Sequence, residues 1–166
     1  MSHLPSLPGS LCLLLLGASL AGCTLVDLEP EPLVIFDLRQ PAVLPAGDRR
    51  GARGLAVAQP VAFDPVAGER IAVRSGNGSL GVLAGARWAG SAPRLFQDLL
   101  LRGLEDAGAA PFVIRAGEGA SADCHLAGDL RAFEYLPEEA RVRVLFRARL
   151  DCGEGGGRAA RAFEAR

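Results

Sequence analysis

Apolar positions along the chain change their spacing several times, and each change marks a different element. Residues 10–22 are uniformly apolar or small, centred on Leu13-Leu14-Leu15-Leu16. A helix needs roughly 20 apolar residues to cross a bilayer, so this run is too short to span one. It suits the hydrophobic core of a signal peptide. A short acidic stretch follows, Asp27, Glu29, Pro30, Glu31 and Pro32, and reads as a tether stiffened by proline. Residues 33–38 (LVIFDL) predict a first strand, and residues 40–54, rich in Pro, Gly and Arg, a loop. Residues 55–62 predict a second strand, with Pro60 pushing it towards an edge or a bulge. Residues 70–74 (RIAVR) predict a third, bounded by turn residues on both sides.

The period then lengthens. Leu95, Phe96, Leu99, Leu100, Leu104 and Ala107 recur at three- and four-residue spacing, the mark of one apolar helix face over residues 92–107. Ser91 stands at the N-cap, Pro93 in the first turn where a missing N–H costs little, and Gly108 at the stop. Residues 112–114 predict another short strand.

From Cys124 to Cys152 the pattern is that of a long β-hairpin. Leu126, Leu130, Ala132, Val142, Val144, Phe146, Ala148 and Leu150 all fall on even positions, and Glu138 lies midway, in the turn Pro137-Glu138-Glu139. Folding about that midpoint sets Leu126 against Leu150, Leu130 against Phe146, Asp129 against Arg147, and Cys124 against Cys152. A slip of one residue would break the apolar pairs, the charge pair and the cysteine pair together. Directly opposed residues lie close enough for a disulfide, so a structural Cys124–Cys152 bond is expected.

Four cysteines sharpen this picture. Cys12 leaves with the signal segment. Cys23 closes the sequence Leu20-Ala21-Gly22-Cys23, the lipobox pattern of bacterial lipoproteins, in which the thiol receives a diacylglyceryl group and the chain is cut just before it. Three segments follow: a lipoprotein signal peptide at 1–22, a lipid-anchored tether at 23–32 and a domain at 33–166. The n-region carries no Arg or Lys, only His3. Cleavage leaves 144 of the 166 residues, one domain by size. The export route leaves Cys124 and Cys152 in an oxidising setting. The net charge of -1 gives no basic excess for nucleic acid.

Candidate chemistry is sparse. Gly76-Asn77-Gly78-Ser79-Leu80-Gly81 fits the spacing of a dinucleotide-binding loop, but no helix opens at Gly81 and no acidic residue closes a second strand at the required distance, so it reads as a tight turn. The mature chain has one histidine, His125, on the polar face of a predicted strand. One histidine supports neither a Ser–His–Asp set nor a zinc site. Glu105-Asp106 and Glu138-Glu139 read as solvated acids. No catalytic residue, metal ligand or cofactor site is assigned. Trp88, the only tryptophan, lies in Arg87-Trp88-Ala89, just before the helix. It is expected to pack in the core at a strand-to-helix junction, with a partner-facing role for Arg87 and Trp88 as the alternative.

These residues resemble the ABC-type transport auxiliary lipoprotein family, the PqiC-like group of lipid or cholesterol transport auxiliary components. The resemblance rests on Arg70-Ile71-Ala72-Val73-Arg74, Ala84-Gly85-Ala86-Arg87-Trp88-Ala89, Pro93-Arg94-Leu95-Phe96-Gln97-Asp98-Leu99-Leu100 and Leu104-Glu105-Asp106-Ala107-Gly108. It continues through Leu126, Gly128, Leu130 and Phe133 to a closing strand with Arg161, Phe163, Glu164 and Ala165. It covers about residues 23–166. It implies a three-layer α/β domain with a mixed β-sheet, ending in the long hairpin plus a further strand. The family's C-terminal helix is not matched, because the chain stops at Arg166. It further implies a non-enzymatic, periplasm-facing lipoprotein without cofactor, working with a membrane-anchored mammalian-cell-entry (MCE) domain protein, an ABC permease and a cytoplasmic ATPase, and it allows a homo-oligomer. Thr24, in place of an inner-membrane retention aspartate, points to an outer-membrane anchor through palmitate-type acyl chains. The rival expectations are a carrier that holds a lipid or sterol ligand itself and, less favoured, an exported hydrolase using His125.

Overall fold

The alternation read from the hairpin organises the whole sheet. The computed structural model describes residues 32–39, 54–119 and 121–166. Cys23 with its lipobox, the tether up to Glu31 and residues 40–53 lie outside the described residues. Among the described residues the strands are β1 (Val34–Phe36), β2 (Leu55–Val57), β3 (Arg70–Arg74), β4 (Leu80–Trp88), β5 (Val113–Arg115), β6 (Cys124–Leu136), β7 (Arg141–Cys152) and β8 (Arg158–Ala165). Helix α1 is Ala92–Asp106, and a single turn, α2, spans Gly153–Gly156. A 3-10 turn at Pro137–Glu139 joins β6 to β7.

The eight strands form one mixed sheet that forks at β6. One edge of β6 pairs with β7, which pairs with β8, both antiparallel. Its other edge is shared. Its first residues run parallel to β2, itself parallel to β5, and its last residues run parallel to β3. β3 continues antiparallel to β4, and β4 runs parallel to β1. The fold is α/β with an open mixed sheet, as the family resemblance implied. The described residues supply a sheet and one long helix on one of its faces.

The hairpin register holds from Cys124↔Cys152 to Leu130↔Phe146. A bulge at Arg131 then moves the pairing by one residue, so Ala132 pairs with Leu145 and Phe133 with Val144. The extra residue turns Phe133 onto the apolar side. There it stacks on Trp88 at 4.9 Å between ring centroids and meets Phe96 of α1. A strictly even-numbered apolar face is thus corrected beyond Leu130. Gly128 lets the two strands approach: a Cβ there would lie 2.5 Å from the Arg147 carbonyl oxygen and from the Phe146 ring.

One other expectation is corrected. The second strand is only Leu55–Val57, and Val61 makes an isolated bridge to Asp129. Pro60 lacks the N–H that a continuous ladder needs. The turn expected at Gly76–Gly81 is present, and its last two residues open the nine-residue strand β4, an element the apolar spacing did not predict. Its glycines at 81 and 85 hide a strand that pairing on both edges sustains. Ser91 takes the N-cap position of α1, as expected, without a side-chain capping hydrogen bond.

Helix α1 buries Ala92, Pro93, Phe96, Gln97 and Leu101 against the sheet. It ends at Gly108, whose φ of 59° is the left-handed conformation glycine tolerates best. Two apolar clusters lie beneath it. One gathers Val66, Ile71, Trp88, Phe96, Leu130, Phe133 and Phe146, and the other Leu55, Val57, Leu101, Val113 and the cysteine pair.

Candidate functional site

Residues directly opposed across a ladder share a face. Ala159, Arg161, Phe163 and Ala165 of β8 stand opposite Leu150, Ala148, Phe146 and Val144 of β7. Phe146 meets Phe96 of α1 at 5.1 Å, so this whole set lies on the α1 side of the sheet. The helix covers part of that side and leaves the rest as an apolar trough of about 1230 Å³. Phe96, Leu100 and Leu104 of α1 form one wall. Leu126, Val144, Phe146, Ala148 and Leu150 make the floor, which continues onto β8. Ala109, Ala110, Gly155 and Gly156 line one end, beside the cysteines.

The structure joins Cys124 to Cys152 at that end, with the Cα atoms 4.0 Å apart. Both are buried, and the bond closes the open end of the hairpin. The trough carries little charge. Arg161 lies over the Phe163 ring at 5.3 Å and has no carboxylate partner among the described residues. Glu164 also borders the trough, but strand alternation turns its carboxylate to the other face, where it pairs with Arg143 and accepts a hydrogen bond from Arg166.

That other face is a ladder of ions. Arg149 donates to Asp129 at 2.8 Å, Arg158 to Asp151 at 2.7 Å, and Arg143 reaches Glu164 at 3.3 Å. Asp129 does stand opposite Arg147, but its carboxylate takes the diagonal Arg149 instead, which corrects the expected charge pair. The Arg149 guanidinium, bonded to the carboxylate, holds Asp129 below the usual carboxylate range. His125 is exposed on this face, opposite Asp151. Glu134, by contrast, is only 1 % exposed. It accepts a 2.7 Å hydrogen bond from Arg74 Nε and lies 3.6 Å from Arg143, so one carboxylate links β3, β6 and β7.

The Arg87-Trp88 pair divides between core and surface. Trp88 is buried at the end of β4 and its N–H donates to the Glu69 carbonyl. Arg87, one position earlier and so on the opposite face, pairs with Glu69 at 2.7 Å in solvent. The structure therefore separates the pair from the trough's Arg161 and does not bring these groups together in one site. Glu138 is not simply solvated. It accepts the Gly76 N–H at 2.9 Å, and that bond lowers its pKa. Sequence reasoning also missed Gln97, a buried amide on the helix face. Its Nε2 donates to the Val57 carbonyl, and its Oε1 accepts from Arg115, fixing α1 to β2 and β5. The only signal was a glutamine in the middle of an apolar stripe.

Among the described residues no cluster of three or more His, Cys, Asp or Glu is placed to hold a metal. Nor, among them, is any helix long and apolar enough to cross a membrane.

The sequence pattern of the ABC-type transport auxiliary lipoprotein component family matches residues 36–166. A protein of Xanthomonas campestris, known from its crystal structure, is 28 % identical, with a TM-score of 0.63 over 80 % of this chain and 76 % of that one. A second crystal structure, of an uncharacterized protein, shares the fold at 17 % identity, with a TM-score of 0.61 over 81 % of this chain and 79 % of the other. No curated protein matches the chain.

Proposed function

The chain belongs to the ABC-type transport auxiliary lipoprotein component family, and on that premise we propose that it is a non-enzymatic accessory of an MCE-type system moving phospholipid, sterol or another hydrophobic solute between membranes. The family match across the whole folded domain is the observation that carries this reading. The lipobox ending at Cys23 supports it independently, because it rests on residues outside the matched span. One acyl chain binds a membrane only marginally, whereas two or three hold it stably. A lipidated Cys23 therefore keeps the domain at the envelope surface, and Thr24 directs it to the outer membrane. From there it meets the far end of a conduit built by an MCE-domain protein, which an ABC permease and its ATPase serve from the inner membrane.

Crosslinking in the periplasm followed by purification of the lipoprotein tests the reading. The expected product contains an MCE-domain protein. Its consistent absence, with the lipoprotein itself recovered intact, would overturn the assignment to that system. Cys23→Ser is expected to move the protein from the membrane to the soluble fraction, and density separation of the two membranes reads out the anchor's location.

A further inference from the structure

The face of the sheet turned away from α1 carries more arginine than acid. Every carboxylate on β6, β7 and β8 already has a cation. Asp129 takes Arg149, Asp151 takes Arg158, and Glu164 takes Arg143 and Arg166. The buried Glu134 takes Arg74. Two exposed guanidinium groups are left over. Arg147 stands opposite Asp129, and Arg131 is the bulge residue two places further along β6. Neither has an ion-pair partner among the described residues. Both crowd the one acid nearby. The Arg149 hydrogen bond lowers the Asp129 pKa most, and the charges of Arg131 and Arg147 lower it further. The net charge of the chain is only -1, so this positive excess is a property of the face and not of the composition.

The face is also flat. Ala127 and Ala160 oppose Arg149 on either side, and Ala162 opposes Arg147, so methyl groups alone flank these arginines. An antiparallel sheet can leave one face in water, and unpaired arginines resist an apolar covering layer. A plane of phosphate groups suits such a surface. Guanidinium holds phosphate oxygens through two parallel N–H donors and is more weakly hydrated than an ammonium group.

Apolar side chains stand beside the excess charge. Val61 is bridged to Asp129, so it shares this face, and it is exposed. Phe63, two residues on, is 84 % exposed. Basic groups next to a projecting aromatic ring make an interfacial contact: the charge draws the surface to anionic headgroups, and the ring enters the boundary with the acyl chains. A lipidated Cys23 would keep a bilayer within reach, because residues 23–32 span at most about 35 Å.

We propose that this face lies against an anionic phospholipid bilayer, with Arg131 and Arg147 on headgroup phosphates and Phe63 at the interface. The nearness of a bilayer rests on the Cys23 anchor proposed above. The charge of the face does not. The contact orients the domain and does not anchor it, since salt screens exposed charges, and Cys23→Ser still releases the protein in cells.

The test uses the mature chain, residues 23–166, bearing Cys23→Ser so that no acyl chain contributes. It is sedimented with vesicles of phosphatidylcholine alone or of phosphatidylcholine and phosphatidylglycerol in equal parts. Binding is expected to the anionic vesicles only, and to fall as salt rises. Arg131→Glu with Arg147→Glu is expected to weaken it about tenfold or more, and Phe63→Ala severalfold. Arg94→Glu with Arg161→Glu makes the same change of charge on the α1 side and is expected to leave binding unchanged. Melting curves confirm that each variant is folded. No binding to anionic vesicles at low salt, equal binding to both kinds of vesicle, or an equal loss from the two double variants would overturn the proposal. So would loss of a crosslinked protein partner on reversing Arg131 and Arg147 while vesicle binding stays intact, which would give the face to a protein. Cell fractionation of Cys23→Ser tests the anchor separately, and failure there would leave the vesicle result standing.

Discussion

One side of one sheet is finished in two different ways. Under α1, Trp88 stacks on Phe133, Phe96 closes over both Phe133 and Phe146, and Gln97 ties the helix to the strand below it. A few residues away, β8 presents Phe163 half exposed and Arg161 without a partner acid among the described residues. Both halves are apolar and both rest on β6 and β7. The difference is that only the first has a covering element among the described residues. The first half owes its stability to that burial. The second half is held by the β7–β8 ladder and the ion pairs on the opposite face.

The strongest test of that contrast is Trp88→Ala. Removing a buried, stacked ring costs about 3–5 kcal/mol, and urea unfolding of the purified protein should show it. A loss below 1 kcal/mol would mean that the covered half is not the stability centre. Next comes the covalent link between β6 and β7, the strands on which both halves rest. Cys124→Ser with Cys152→Ser removes a link between residues 28 apart in sequence and is expected to cost about 2–4 kcal/mol. Wild type unfolded under reducing conditions should lose a similar amount. Gly128→Ala forces a methyl into the Arg147 carbonyl and the Phe146 ring, where strands of both halves meet. Overpacking of this kind costs about 1–3 kcal/mol, read as a lower melting temperature. Phe163→Ala, which removes an equally apolar ring from the trough, should change stability by no more than about 0.5 kcal/mol. A loss as large as that of Trp88→Ala would show that the trough is already closed in the isolated protein.

The smallest effect lies at the hairpin tip, away from both halves. The Gly76 N–H lowers the Glu138 pKa in the folded state. The carboxylate's contribution is therefore present above the unfolded pKa and is lost as pH falls through the lowered folded value. Melting curves of Glu138→Gln and wild type should differ slightly at neutral pH and converge in acid. A gap that persists in acid would assign the effect to packing.

Much of this architecture can be read along the chain. The strand RIAVR, the helix from Ala92 and the near half of the hairpin each show one dominant spacing, and that spacing reports which face is buried. The bulge at Arg131 cannot be read there. Arg-Ala-Phe-Glu-Tyr-Leu after Leu130 suits either parity, and the choice was made when Phe133 found Trp88, more than forty residues upstream. β4 stayed hidden because Gly81 and Gly85 weaken any local strand preference, and β1 and β3 support it from outside. Of the site residues, the cysteine pairing follows from local register. Glu134, Gln97 and the Arg161 trough require knowing which surfaces meet.

The sequence by itself determined the local terms: the periods that set strand and helix, the register that opposes Cys124 and Cys152, and the small-residue pattern before Cys23. These depend on neighbours along the chain, so a linear pattern contains them. Only the tertiary structure decided that β6 forks, that one buried carboxylate serves three strands, and that, among the described residues, a single long helix covers part of the sheet and leaves a trough beside it. Those outcomes depend on area and distance between segments far apart in sequence, and alternation along a strand says which face is apolar without saying what will cover it.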